Sequence, residues 1–211
     1  MKVKKIVFGL FLALLTVACK GEKESKEEDK KDAKEKIILG IDPGTNVMGY
    51  GLILIEGKKY SLLQFGVIHL KKYVGHELKL KKIFERVTGI IDEFHPDTVA
   101  LEAPFYGENV QSMLKLGRAQ GVAMAAALAR DIPITEYSPK KVKQSVTGNG
   151  NASKIQVAEM LKTLLKIEEI PKLLDATDAL AVALCHHFHD GRLQTRGRTA
   201  GWKSFLEDNP N

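Results

Sequence analysis

The stretch Ile37 to Ile55 reads IILGIDPGTNVMGYGLILI, and it decides the fold. An apolar, β-branched run ends at Asp42, a Pro43-Gly44 turn follows, and a second apolar run resumes at Gly49. This pattern predicts two antiparallel strands with one carboxylate at the mouth of their connection. An acid at the end of a buried strand is costly unless it meets a cation or a hydrogen-bond donor. We therefore expect Asp42 to be functional and within reach of a metal ion.

The bulk composition indicates one ordinary domain with an extension. The chain has 211 residues, of which 44% are hydrophobic, enough to bury a sizeable core. Its formal net charge is +6, but residues 1–19 contribute three of those charges and about +3 falls after residue 36. This mild excess permits polyanion binding without requiring it. The two cysteines, Cys19 and Cys185, do not indicate a disulfide framework, and we expect Cys185 to be a buried apolar residue.

The N-terminal segment has two competing interpretations. Residues 1–19 combine lysines with a short apolar run before Cys19, which resembles a lipoprotein export leader. The alternative is an extension added by a wrongly chosen start site. Residues 20–36 mix seven lysines with seven acids, so they are predicted to be a solvated linker. The folded domain is predicted over residues 37–190, and the basic tail 191–211 is predicted to be poorly ordered.

Further strands and helices follow from hydrophobic periodicity. A strand, a helix and a second strand in succession form a right-handed parallel crossover, so the first and fourth strands can be neighbours, roughly 4.8 Å apart. Asp42 and Glu102 would then face one another at the carboxyl ends of these strands. The predicted elements are strands at Tyr50–Ile55, Tyr60–Leu70, Asp97–Glu102 and Pro133–Tyr137, and helices from His76 to about His95, Asn109–Arg130, Ile155–Leu165 and from Asp175 onwards.

Asp175 and Asp178 are three residues apart at the start of the last helix, so both carboxylates project from nearly the same face. The alternative is that they only cap this helix. Four acids at the ends of elements favour a cluster that binds Mg²⁺ or Mn²⁺, whereas zinc prefers nitrogen and sulfur ligands. Two such cations can activate a water and stabilise the leaving oxygen of a phosphodiester.

Five blocks in order carry a family resemblance: LGIDPGTNVMGYG, LEAPF, KLGRAQGVA, YSPKKVKQSVTGNGNASK and DATDALAVALCHH. Together they resemble the RuvC family of Holliday-junction resolvases over nearly all of residues 37–189. The resemblance implies an α/β, ribonuclease H-like fold, with a five-stranded mixed sheet flanked by helices. GIDPG alone would be weak, because actin-like ATPases and sugar kinases also place an acid and a glycine turn there.

The resemblance also implies roles for individual residues. Phe105 would wedge into unstacked bases, and an aromatic face contributes roughly 1 to 3 kcal/mol per stacked base. A core Phe under a loop is the alternative, and for each lysine the alternative is a solvated surface charge. Separately from the resemblance, the spacing of the three histidines 186, 187 and 189 puts them on different helix faces, so we expect them at a fraying helix end or near backbone phosphates and exclude them from the metal set. The implied metal-binding catalytic acids are Asp42, Glu102, Asp175 and Asp178, lysines near the scissile phosphate are Lys143 and Lys154, and further phosphate contacts are Arg118, Lys140 and Lys141.

The function implied is a magnesium-dependent, structure-selective endonuclease acting as a homodimer on four-way DNA junctions in the cytoplasm. Two Mg²⁺ per subunit are implied, with Mn²⁺ able to substitute, and no nucleotide cofactor. Cooperation with the RuvA and RuvB branch-migration proteins is implied as well. Two alternatives remain: an actin-like ATPase, which would need a second phosphate-binding hairpin, and a lipid-anchored, non-catalytic binding protein.

Overall fold

The computed structural model describes residues 35–104, 109–169 and 173–194. Predictions for the leader, most of the linker, Phe105 and most of the basic tail lie outside these ranges. Within them the elements are β1 (Glu35–Asp42), β2 (Val47–Glu56), β3 (Lys59–His69), α1 (His76–Phe94), β4 (Thr98–Glu102), α2 (Val110–Leu128), β5 (Ile134–Tyr137), α3 (Pro139–Thr147), α4 (Lys154–Leu165) and α5 (Asp175–Gln194).

The described strands form one mixed sheet in the order β3-β2-β1-β4-β5. β1 pairs antiparallel with β2, which in turn pairs antiparallel with β3. β4 lies parallel to β1 on one side and to β5 on the other. The carboxyl ends of β1, β4 and β5 therefore share one edge of the sheet. The predicted five-stranded mixed sheet flanked by helices is confirmed.

Two strands begin earlier than the sequence predicts, while the other ends differ by only one or two residues. β1 begins at Glu35, two residues into the predicted linker, because Glu35 pairs with Glu56 of β2 even though Glu35 and Lys36 are polar. β2 begins at Val47 rather than near Tyr50, because Val47 already pairs with His69 of β3. The apolar pair Val47-Met48 lies before Gly49, at which the sequence prediction begins the second run.

Helices cover both faces of the sheet. Alternating residues of β1 point to opposite faces: Leu39 and Ile41 join the core beneath α1 and α2, whereas Ile38 joins the core beneath α3, α4 and α5. Residues 179–185 of α5 are buried on all sides, as expected for a helix enclosed between a sheet and other helices. None of the described helices combines the length and apolarity required to span a bilayer.

Glycines let α5 lie directly on β1 and β2. A Cβ added at Gly40 would lie 2.1 Å from the carbonyl oxygen of Ala179, and one added at Gly49 would lie 1.9 Å from that of Asp175. These distances are far inside van der Waals contact, so no larger residue fits without moving the helix. Because Gly49 pairs with Asp42 across the β1–β2 ladder, the start of α5 is held beside the catalytic edge.

Candidate active site

Asp42 and Glu102 lie side by side at the carboxyl edge of the sheet. Ile41 is opposite Leu101 in the parallel ladder, and each acid follows directly in its own strand. Both side chains line a cavity of about 150 Å³, whose wall also includes Pro43, Pro104 and, from α2, Leu116. The predicted proximity of these two acids is therefore confirmed.

The first turn of α5 adds two more acids. Asp175 is the first helical residue, and the backbone N–H of Asp178 donates to Leu174 at 2.8 Å. The carboxylate of Asp178 accepts a hydrogen bond from Lys154. Lys154 belongs to α4, so Asp178 contacts a side chain of another helix. A residue that only capped α5 would not need this contact.

The acids influence one another electrostatically. Burial raises the pKa of Asp42 to about 8, and the negative charges of Glu102, Asp178 and Asp175 add to the effect. Burial likewise raises the pKa of Glu102 to about 7, with Asp178 as the main charged contributor. Carboxyl groups whose pKa is raised by burial and by neighbouring negative charge form a place where a bound cation would be stabilised.

Two lysines face this group of acids. Ser153 and Gln156 form a reciprocal capping box that starts α4 at Lys154, and the Lys154 ammonium lies 2.5 Å from Asp178. Partial burial lowers the pKa of Lys154, but the hydrogen bond and charge of Asp178 outweigh burial, so the pKa is raised overall. The charge of Lys143, on α3, acts on both Glu102 and Asp178. Both lysines therefore lie close enough to the acids to act on them electrostatically, and their place beside a scissile phosphate stays a prediction.

The chemistry of these side chains fits a hard divalent cation, because four carboxylates supply only oxygen ligands. A bound cation would also offset the burial and repulsion that raise the pKa of Asp42 and Glu102. Across the described ranges, however, no three His, Cys, Asp or Glu side chains form a ready metal-binding cluster. Lys154 supplies the positive charge in the arrangement seen here.

Comparison with known proteins decides the family. The family model for crossover junction endodeoxyribonuclease RuvC matches residues 38–186, which contain all four acids and both lysines. The chain therefore belongs to the RuvC family. A RuvC crossover junction endodeoxyribonuclease of Cytophaga hutchinsonii is 63% identical over 84% of this chain and 88% of its own length. Another RuvC, from Christiangramia forsetii, is 58% identical over 88% of this chain and 97% of its own length.

A solved RuvC structure has the same fold. The Thermus thermophilus RuvC in complex with Holliday junction substrate aligns with a TM-score of 0.70 and 33% identity, covering 76% of this chain and 97% of that chain. The ribonuclease H-like fold predicted from the sequence blocks is thereby confirmed. The alternatives of an actin-like ATPase and of a non-catalytic lipoprotein receive no support from these matches.

The other described residues implied by the RuvC resemblance lie on α2 and α3. Lys140 and Lys141 are in the first turn of α3 and line a cavity of about 920 Å³ with Ser138, Gln144 and His189. The Lys141 ammonium lies 5.0 Å from the ring centre of Tyr137. Arg118 lies on the exposed side of α2, where its charge acts on His76. Their contact with phosphates stays a prediction, as does the role of Phe105.

The histidine cluster corrects one expectation. His186 is only 4% exposed, and its Nδ1 lies 3.0 Å from the hydroxyl of Tyr137, so it is not at a fraying helix end. Burial lowers the pKa of His186 to about 4 and raises the pKa of Tyr137 to about 12, so this pair is neutral at physiological pH. The neighbouring Cys185 is fully buried, as predicted.

Sequence reasoning missed two polar side chains that organise the edge. The Lys79 ammonium donates to the carbonyl oxygen of Thr45 at 2.9 Å and to the Asn46 side chain at 3.1 Å, and thereby holds the connection between β1 and β2. Gln120 is buried on α2 and donates to the carbonyl oxygen of Glu102. A polar residue within an otherwise small, apolar helix face was the available signal for Gln120. Nothing in the sequence spacing signals the contact of Lys79.

Proposed function

We propose that this chain resolves four-way DNA junctions by metal-dependent phosphodiester hydrolysis in recombination and repair. The observation that carries the proposal is the meeting of Asp42 and Glu102 at one edge of the sheet, beside the first turn of α5, in a member of the RuvC family. The products would be strands with 5′-phosphate and 3′-hydroxyl ends, nicked at two symmetry-related positions.

The four acids would hold the metal ions, two Mg²⁺ per subunit, with Mn²⁺ able to substitute. When bound, such ions supply an activated water and charge compensation for the leaving oxygen. The carboxylates of Asp42 and Glu102 must be ionised to bind a cation, and their raised pKa values mean that ionisation and metal binding favour each other. No nucleotide cofactor takes part in this chemistry.

The lysines act on the phosphate. Lys154 contacts Asp178, and the charge of Lys143 acts on Glu102, which supports a role for both ammonium groups in stabilising negative charge on the scissile phosphate. Lys140, Lys141 and Arg118 would contact phosphates farther along the DNA, which positions the substrate without reading its sequence. Phe105, three residues beyond Glu102, would stack on unpaired bases at the junction centre.

A homodimer is the natural form of the enzyme, because a two-fold symmetric substrate calls for a two-fold symmetric arrangement of sites. We place this enzyme in the cytoplasm, working with the RuvA and RuvB branch-migration proteins. Mass analysis of the mature N-terminus tests the location. An intact Met1 or a start near residue 37 would support cytoplasmic action, whereas an acylated Cys19 would contradict it.

A direct assay uses purified full-length protein and a synthetic mobile four-way junction, with and without Mg²⁺. We expect paired nicks that depend on Mg²⁺, and no cutting of a linear duplex of the same sequence. A protein that binds the junction but cuts it in neither condition would contradict the proposal. Junction-independent cutting would contradict its structural selectivity.

A further inference from the structure

Gln120 is a buried polar side chain that the chemistry proposed above does not use. It is 5% exposed and lies on the inner face of α2. Burying an amide is unfavourable unless hydrogen bonds compensate, so its partners indicate what it does. The other buried residues of this helix are all alanines: Ala119, Ala123, Ala126 and Ala127.

The amide of Gln120 connects α2 to the ends of two strands. Its Nε2 donates to the backbone carbonyl oxygen of Glu102 at 3.3 Å and to Oε1 of Glu136 at 2.5 Å. Glu102 is the last residue of β4, and Glu136 lies opposite Leu101 on β5. One side chain thus joins the helix to β4 and β5 at the edge that carries the acids.

The carbonyl group of Glu102 depends on a donor from outside the sheet. Successive residues of a strand turn their backbone groups to opposite neighbours, and Ala103 faces β5, so the carbonyl group of Glu102 faces β1. β1 continues past Asp42 into Pro43, which has no backbone N–H and cannot extend the ladder to Glu102. The β4–β5 pairing ends with the Ala103 N–H donating to Tyr137 at 2.8 Å. Gln120 supplies the hydrogen bond that the neighbouring strands cannot.

We propose that Gln120 is a positioning residue that fixes the end of β4 and so directs the Glu102 carboxylate toward Asp42. Leu116, one helical turn before Gln120, lines the cavity that contains both acids, so α2 packs directly against this site. Displacing a catalytic group by about 1 Å can reduce turnover by up to about 100-fold. The catalytic part of this inference rests on the proposed nuclease function, whereas the structural part does not.

The test compares three variants of the full-length chain. Gln120→Met keeps the length of the side chain but removes the donor. Gln120→Arg offers N–H donors again, from a longer side chain. Thr98→Val is the matched control: the Thr98 hydroxyl also donates from a buried side chain, to Pro133 at 3.2 Å, but at the opposite end of the β4–β5 pair.

The measurements are junction dissociation constant, single-turnover cleavage rate, thermal stability and amide hydrogen exchange at Ala103. We expect Gln120→Met to cut about 10- to 100-fold more slowly with unchanged junction affinity, and to exchange faster at Ala103. Gln120→Arg should recover both properties. Thr98→Val should lose thermal stability while keeping the parental rate and the parental exchange at Ala103.

Parental exchange at Ala103 in Gln120→Met would overturn the positioning role. A parental cleavage rate in Gln120→Met would overturn the link to Glu102. If the parental protein itself cuts no junction, the proposed function fails, and hydrogen exchange still decides whether Gln120 holds the strand end.

Discussion

The Nζ atom of Lys154 lies 2.5 Å from Oδ2 of Asp178, one of a group of acids that repel one another. The charge of Lys154 also acts on Asp42 and Glu102 and opposes the rise in their pKa. α4 therefore brings a positive charge to the place where the proposed mechanism puts divalent cations. Lys154 balances the acids, and in the proposed mechanism it would also stabilise negative charge on a phosphate.

Replacing Lys154 by Met should reduce cleavage much more than binding. The ammonium acts where charge develops in the transition state, and loss of one such group typically costs about 100- to 1,000-fold in rate. A single phosphate contact contributes little to total DNA affinity, so the junction dissociation constant should change far less. Single-turnover cleavage and a binding titration on the same junction measure both effects.

Lys162→Met is the matched control, since Lys162 lies on the same helix two turns farther along. It removes the same charge from α4 and should leave cleavage at the parental rate. Equal losses in both variants would mean that Lys154 acts through overall charge rather than through its place beside Asp178.

Asp42→Asn should change how stability depends on pH. The folded protein keeps the Asp42 proton up to about pH 8, whereas the unfolded chain releases it near pH 3.8. The contribution of Asp42 to the free energy of unfolding is therefore fully present below about pH 4, falls as the pH rises toward 8, and is lost above about pH 8. In metal-free buffer at pH 8.5, Asp42→Asn should be more stable than the parental protein, by on the order of 2 kcal/mol.

This difference is measured by thermal unfolding of both proteins in the presence of a chelator, at intervals of about one pH unit between about pH 5 and about pH 9. Asp92→Asn provides the contrast, because a hydrogen bond from Arg130 lowers the pKa of Asp92 instead of raising it. Asp92 contributes its stability above its unfolded pKa, so Asp92→Asn should gain nothing at high pH. A parental pH profile in Asp42→Asn would contradict the electrostatic picture of the site.

Gly49→Ala should disturb the contact between α5 and the sheet. The added Cβ would lie 1.9 Å from the carbonyl oxygen of Asp175. Because this contact is between the backbone of β2 and the backbone of α5, neither element can move aside easily. We expect a loss of about 1 to 3 kcal/mol in unfolding free energy, with reduced cleavage because Asp175 is displaced. Chemical denaturation and the junction assay measure the two effects.

Gly89→Ala is the corresponding control in α1, where an added Cβ meets nothing within 4 Å. Alanine is the better helix former, so this change should stabilise the protein by about 0.5 to 1 kcal/mol. If Gly49→Ala were also stabilising, the close approach of α5 to β2 would be wrong.

Much of the catalytic edge could be predicted from the sequence. The strand, helix, strand succession is local information, and the handedness of parallel crossovers places the ends of β1 and β4 together. This is why the proximity of Asp42 and Glu102 follows from pattern alone. The spacing of Asp175 and Asp178 puts both carboxylates on one helical turn, but the spacing alone also fits a capping role, and the other two acids were needed to favour a site.

The parts that could not be predicted depend on which surfaces meet in three dimensions. In the sequence Gly49 only opens the second apolar run, and only the docked α5 shows that it makes room for the helix backbone. His186 is near the end of an apolar helix pattern and was expected to fray, but Tyr137 reaches it from β5 and shields it. The pairing of Lys154 with Asp178 joins residues 24 positions apart, which no local pattern encodes.

The central claim is that Asp42 is essential for the chemistry but not for holding DNA. Single-turnover cleavage and binding of a four-way junction by Asp42→Asn, measured beside the parental protein in Mg²⁺, tests this claim most directly. We expect cleavage to be abolished while junction affinity is retained, because the basic surface is unchanged. Cleavage by Asp42→Asn at the parental rate would contradict the account.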